Sequence, residues 1–140
     1  MLNFRNHGDD LTCVGQITAD QVSILAAQGF RTIVCNRPDG EAGAVASVTI
    51  AAAAREHGLV FVHQPVLFST LNLADGARFA KVLDEADKPV LAYCRTGRRS
   101  AALWVMGRAP TLGVDAALAA SKAVGCDLEE LRTRVASALD

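Results

Sequence analysis

Aromatic residues are scarce in this sequence, with one Trp, one Tyr and five Phe among 140 residues, so its core must be built from aliphatic side chains and alanine. Cysteine is scarce too. The four at positions 13, 35, 94 and 126 show no C-x-x-C spacing, and Met1 to Asp10 lacks the apolar segment of a secretory signal, which together argue against a disulfide framework or a zinc site. No run approaches eighteen apolar residues, which argues against a membrane-spanning helix. Charge of one sign is also missing: the net charge is −1 and the pI about 6.3, which speaks against a nucleic-acid or membrane surface as partner. What remains is an ordinary balance of 51% apolar and 21% charged residues, expected to fold as one domain over 1–140 and to work in the cytoplasm. There is no internal repeat, linker or low-complexity tract.

Against this background one heptapeptide stands out, Cys94-Arg95-Thr96-Gly97-Arg98-Arg99-Ser100. It follows the apolar run Pro89 to Tyr93 and leads into a helix-like stretch. Amides from Arg95 to Ser100 can converge as a nest, the helix beginning near Ser100 adds its positive end, and Arg95, Arg98 and Arg99 bring three cations close to the sulfur. All three effects favour a thiolate and an anion pocket. Gly97 in mid-loop is explained if the chain there takes a positive φ or approaches an anion closely.

The rest of the chain alternates strands with helices. Leu11–Val14, Arg31–Asn36, Leu59–His63 and the run into Cys94 read as strands. Thr18 and Gln21 form a capping pattern for a helix closed by Gly29; Ser47 to His57 is Ala-rich helix stopped by Gly58; and Asn72 caps a helix bearing Leu73, Ala77, Ala80 and Leu83 on one face. Beyond the Cys loop, a helix to about Arg108 breaks at Pro110, followed by helices over 115–124 and from Asp127 to the end. Short apolar strands between helices predict an α/β architecture, a central, mostly parallel four-stranded sheet with helices on both faces and a helical C-terminal tail. Ligands gather at the carboxyl edge of such sheets. Cys94, the turn Arg37-Pro38-Asp39-Gly40-Glu41 and the loop after His63 all fall there.

Three runs, Val14–Thr18, Gly29–Glu41 and Tyr93–Ser100, resemble the bacterial beta-lactamase hydrolase-like family over roughly residues 2–108. The resemblance implies a tyrosine- or dual-specificity-phosphatase-like fold, and members are described either as phosphatases or as rhodanese-like sulfur transferases. Phosphatases of this fold resemble one another in His-Cys-x-x-Gly-x-x-Arg-Ser/Thr, with five residues between Cys and Arg. Here four residues separate Cys94 from Arg99, and Tyr93 replaces the histidine. The string is similar to the single-domain rhodanese loop, Cys-Arg-x-Gly-x-Arg-Ser, whose tighter cradle suits the outer sulfur of a persulfide.

A general acid is the second discriminator. Dual-specificity phosphatases have an Asp about thirty residues before the Cys to protonate the leaving oxygen, yet residues 60–74 contain neither Asp nor Glu, and Asp75 reads as first-turn helix charge. Sulfite and thiolates leave without a proton. The leading expectation is therefore a sulfurtransferase carrying sulfane sulfur on Cys94, with Arg99 and Ser100 as its catalytic partners and Arg95, Thr96, Gly97, Arg98 and Arg37 at the anion or substrate site. Arg37 either adds a cation to that site or braces the turn through Asp39 and Glu41. The alternative is a phosphatase forming phosphocysteine, and a third reading is a non-catalytic anion- or sulfur-binding module. Expected partners are a small-molecule or thiol sulfur donor and acceptor, or a phosphate ester; no cofactor or metal is expected. His63 and His57 read as strand-end and helix-end residues, His7 as part of a polar N-terminal stretch, and Trp104 as the anchor of the helix after the loop.

Overall fold

In the computed structural model, which describes residues 2–139, the four apolar runs and a short polar strand form a five-stranded sheet in the order β1-β2-β5-β3-β4. The strands are β1 (Arg5–His7), β2 (Leu11–Val14), β3 (Thr32–Cys35), β4 (Val60–His63) and β5 (Val90–Tyr93). Neighbours from β2 to β4 run parallel, with β5 in the middle: Val14 and Cys35 both stand opposite Tyr93. These are the four strands expected from sequence. The expected four-stranded sheet is corrected by β1, which pairs antiparallel with β2. Arg5-Asn6-His7 has no apolar alternation to betray a strand. Within that polar N-terminal stretch His7 is fully buried, its Nε2 lies 3.0 Å from the Ser121 hydroxyl, and burial lowers its pKa.

Parallel strands must be covered on both faces, and the alternation of side chains divides the core accordingly. Ile33, Cys35, Leu91 and Tyr93 point into one layer with Val22, Leu25, Ile50 and Ala54, from α1 (Ala19–Ala27) and α2 (Ser47–Glu56). Val34, Val90 and Ala92 point into the other, with Phe79, Leu83, Leu103, Leu118 and Val135. That layer holds α3 (Leu73–Glu85), α4 (Arg98–Leu112), α5 (Val114–Ala123) and, after a 3₁₀ turn at Glu129–Leu131, α6 (Arg132–Leu139).

The helix after the Cys loop is central to this second layer. Every residue from Ser100 to Met106 is buried, so α4 is apolar on all sides, as a helix enclosed by others must be. It begins at Arg98 and not near Ser100, and it continues through Pro110 to Leu112, correcting the expected break. Pro110 removes one hydrogen bond in the last turn; the packing of α4 between α3 and α5 outweighs that loss, and Gly113, at φ +90°, ends the helix. Where α3 crosses α4, Gly76 meets Gly107 so closely that a Cβ on Gly107 would stand 2.5 Å from the Gly76 carbonyl oxygen. Trp104 anchors the helix as expected: it is 3% exposed and its Nε1 donates to Asp10 Oδ1 at 3.1 Å.

Candidate active site

β5 ends at Tyr93, and Cys94 is the next residue, at the carboxyl edge of the central strand. The chain then turns through Arg95 and Thr96 into Gly97, which takes φ +91° and caps α4. A side chain would be strained there, and a Cβ would also stand 3.3 Å from the backbone of Val14. This conformation aims the Gly97 N–H at the sulfur of Cys94, 3.1 Å away. One amide and the N-terminus of a fifteen-residue helix thus face the sulfur. From the neighbouring strand end, Gln16 N–H donates to the Arg95 carbonyl at 3.2 Å. Gly15 leaves room for that carbonyl, since a Cβ would come within 2.9 Å of it.

The three loop arginines separate in space. Arg95 is exposed, as is Thr96. Arg98 turns to the C-terminal segment, donating to the Asp127 carbonyl and pairing with Glu130. Arg99 stays at the site. Its Nη1 and Nη2 grip both oxygens of Glu41, at 2.5 and 2.8 Å, and Nη1 also donates to the Val66 carbonyl at 3.1 Å. Arg99 holds the Glu41 carboxyl down at about 2, with Arg37 adding to the effect. In return Glu41 raises the pKa of Arg99, and the Cys94 sulfur contributes in the same direction. A fork-shaped, bidentate pair fixes the guanidinium in one orientation.

Arg37 is buried, and its guanidinium is taken up by the turn: Nε donates to Glu41 at 3.0 Å, Nη1 to Gln16 Oε1 at 2.9 Å and Nη2 to the Ala42 carbonyl at 2.8 Å. Its bracing partner is thus Glu41. Asp39 caps α2, accepting from the Ser47 amide and hydroxyl at 2.6 and 2.7 Å. Ser100 is fully buried and donates to Asn36 Oδ1 at 2.8 Å. The loop brings Cys94, Gly97 and Arg99 together, then, while Arg95 and Thr96 are exposed, Arg98 is engaged by the C-terminal segment and Arg37 by Gln16, Glu41 and Ala42.

Sequence reasoning missed several members of this arrangement. Glu41 was visible as a carboxylate at the same sheet edge as the arginines, the one signal that would have paired it with Arg99. Nothing in the sequence marked Val66 or Phe68, and Asn36 stood out only as part of the run Gly29–Glu41. The Phe68 ring sits between Arg98 and Arg134, whose guanidinium carbons lie 5.2 and 5.9 Å from its centre. Arg134, on α6, donates to the carbonyls of Phe68 and Leu71 at 3.0 and 3.4 Å. The segment 64–72, which borders the site, is thereby tied to the C-terminal helix.

As a chemical device, the site presents a thiol facing an amide, a helix N-terminus and a clamped guanidinium. Glu41, the carboxylate that reaches Arg99, stays ionised at neutral pH and has no proton to give. Asp75 serves the capping box of α3 with Asn72 and pairs with Arg78. Among the described residues no group of three or more His, Cys, Asp or Glu is placed to hold a metal ion, and no helix is long and apolar enough to cross a membrane. A cleft of about 370 Å³ lined by Pro38, Pro65, Val66, Leu67, Thr70 and Asp75 shares Val66 with the site. A cleft of about 410 Å³ around Gly8, Asp10, Trp104 and Arg108 lies at the opposite ends of the strands.

Comparison with known proteins agrees with this geometry. A crystal structure described as that of a "putative phosphatase" from Neisseria meningitidis is 33% identical, covers 99% of both chains and superposes with a TM-score of 0.87. The active form of Tk-PTP, at 16% identity, covers 98% of this chain and 95% of its own with a TM-score of 0.78, a likeness of fold alone. A beta-lactamase hydrolase-like protein of Agrobacterium fabrum is 37% identical over 100 residues, 71% of this chain and 23% of that protein. One from Xylella fastidiosa is 31% identical over 97 residues, 69% of this chain and 22% of that protein. The chain therefore spans under a quarter of the length of these curated relatives. The family pattern itself matches residues 3–111, and with it the chain belongs to the family of the beta-lactamase hydrolase-like protein, phosphatase-like domain.

Proposed function

We propose that this chain is a cysteine-dependent phosphatase. The Cys94 thiolate attacks the phosphorus of a phosphate monoester, the bond to the leaving oxygen breaks, and water then cleaves the phosphocysteine to release inorganic phosphate and the thiolate. The observation that carries this reading is the likeness, at 33% identity over 99% of both chains, to the Neisseria protein described as a "putative phosphatase". The site is consistent with it. The Gly97 amide, the N-terminus of α4 and Arg99 supply donors where phosphoryl oxygens would gather. The substrate class is narrowed by what the site does not offer. Residues 60–74 hold no carboxylic acid, and Glu41 is held ionised by Arg99, so aryl or acyl phosphates, whose leaving groups depart without a proton, suit it best.

A second reading keeps sulfur transfer, and a specific observation favours it. Only four residues separate Cys94 from Arg99, the spacing of the rhodanese-like loop, and an amide already stands 3.1 Å from the sulfur. In this reading Cys94 attacks the outer sulfur of thiosulfate, sulfite leaves, and the Cys94 persulfide passes its terminal sulfur to a thiolate or cyanide. The cytoplasm remains the proposed compartment for either reaction. The experiment measures p-nitrophenyl phosphate hydrolysis and thiosulfate-to-cyanide transfer side by side, each repeated with Cys94→Ser. Phosphate release lost in Cys94→Ser, blocked by vanadate and leaving no persulfide in the mass spectrum supports the phosphatase. Cys94 heavier by one sulfur atom, with no phosphate release, overturns it.

A further inference from the structure

Asn36 directly follows β3, the strand beside β5, and is fully buried, and all four of its hydrogen-bonding groups are used on the walls of the site. Its N–H donates to the Tyr93 carbonyl at 2.8 Å, immediately before Cys94, and its carbonyl accepts from Val66 N–H at 3.1 Å. Its Nδ2 donates to the Gln64 carbonyl at 2.9 Å, and its Oδ1 accepts from Ser100 Oγ at 2.8 Å. Gln64 O can only accept, so the amide orientation is fixed by its partners: NH₂ faces Gln64 and Oδ1 faces Ser100. Ser100 has a single proton, and it goes to Asn36. While that bond stands, the Ser100 hydroxyl cannot donate to the Cys94 sulfur.

We propose that Asn36 is the positioning residue of the Cys94 site, joining the first turn of α4 to the 64–72 segment and holding Ser100 as an acceptor so that the loop stays aligned on the sulfur. The proposal rests on Cys94 being the nucleophile and on neither choice of substrate. Its effect is separable from anion capture. Arg99 is oriented by Glu41 and by the Val66 carbonyl, and the backbone bonds of position 36 to Tyr93 and Val66 survive a change of side chain. Removing the amide strands the Ser100 hydroxyl and the Gln64 carbonyl, and the loop and helix lose their common reference. Chemistry should suffer more than binding.

The test uses whichever turnover, of p-nitrophenyl phosphate or thiosulfate, Cys94→Ser abolishes. In Asn36→Ala kcat should fall by about 10- to 100-fold, the scale of a misplacement of about 1 Å in a reacting group, while KM changes by less than about threefold. The ratio of Cys94 alkylation rates at about pH 9 and about pH 6 should change with it, because that ratio reads the environment of the sulfur and not global stability. Asn36→Asp preserves volume and the acceptor for Ser100 but offers Gln64 a second acceptor; it should show the same loss of kcat and decides the matter if Asn36→Ala does not fold. Thr32→Val is the control. It removes a hydrogen bond to the Asp87 carbonyl at 2.8 Å from an equally buried residue at the far end of β3, and should lower stability while leaving kcat and the alkylation ratio unchanged. Wild-type kcat and alkylation ratio in a folded Asn36 variant overturn the proposal, as does an equal effect of Thr32→Val. Turnover unaffected by Cys94→Ser removes the nucleophile reading and the proposal with it.

Discussion

Replacing Gly76 by alanine puts a methyl group into the crossing of α3 and α4. The new Cβ would stand 2.6 Å from the Met106 carbonyl carbon, 2.7 Å from Gly107 N and 2.7 Å from Met106 Cβ. Two of these are backbone atoms and cannot rotate away, so the helices must separate by nearly an ångström. Overpacking of this kind costs about 1–3 kcal/mol, and rigid obstacles place it near the top of that range. Alanine returns about 1 kcal/mol through its helix propensity. The net loss is about 2 kcal/mol, which for a chain of this length lowers Tm by about 7 °C. Calorimetry on wild type, Gly76→Ala and Gly40→Ala provides the measurement, the last because nothing lies within 4 Å of a Cβ there. A Gly76→Ala protein melting at or above wild type, with Gly40→Ala unchanged, would refute the close approach of these helices.

Iodoacetamide at neutral pH should label Cys94 before the other three cysteines, although Cys126 is the most exposed at 8% against 1% for Cys94; first labelling of Cys126, followed by peptide mass mapping, would show that accessibility governs. Burial pushes the Cys13 and Cys35 thiols up, so both should lag throughout. Trp104→Ala should cost about 3–5 kcal/mol, read from urea unfolding, and a wild-type midpoint would contradict the buried ring. Gly15→Ala, which presses a methyl against the Arg95 carbonyl, should slow Cys94 alkylation and turnover more than it lowers Tm; unchanged rates would show that the loop does not depend on that contact. Glu41 has its carboxyl lowered from 4.5 to about 2, so the stability it adds is fully present above about pH 4.5 and fades as pH falls through about 2. The Tm gap between wild type and Glu41→Gln should shrink over that window, and a gap as wide at pH 2 as at pH 7 would sink the argument.

Much of this fold was legible because its parallel strands are short, mostly apolar and separated by helices. The four parallel strands, the Thr18 and Asn72 caps and the anchoring role of Trp104 could be read directly. β1 could not: a three-residue edge strand of Arg, Asn and His is held by pairing and by the burial of His7, neither of which leaves a pattern. The Pro110 break failed because enclosure between α3 and α5 overrides a local helix breaker. At the site, the Cys loop and the positive φ of Gly97 were legible, since a reactive thiol needs just such residues at such spacing. The contact between Arg99 and Glu41 spans 58 positions of sequence and follows from topology, which sets the 37–41 turn beside the loop. The chemistry is ordered by the loop's length and the missing acid, which favour sulfur; the likeness over the whole chain to a protein described as a "putative phosphatase" is why we propose phosphate first.

The C-terminal helix extends the reach of the site beyond its family boundary. The recognised pattern stops at residue 111, yet Arg134 grips the segment bordering Cys94, and the Asp127 carbonyl and Glu130 hold Arg98. A fragment trimmed to that boundary would keep every residue of the Cys loop and lose the outside brace on its neighbour. Conversely, edits confined to residues 127–134 would alter that brace on Arg98 and on the 64–72 segment while leaving Cys94, Gly97 and Arg99 unchanged.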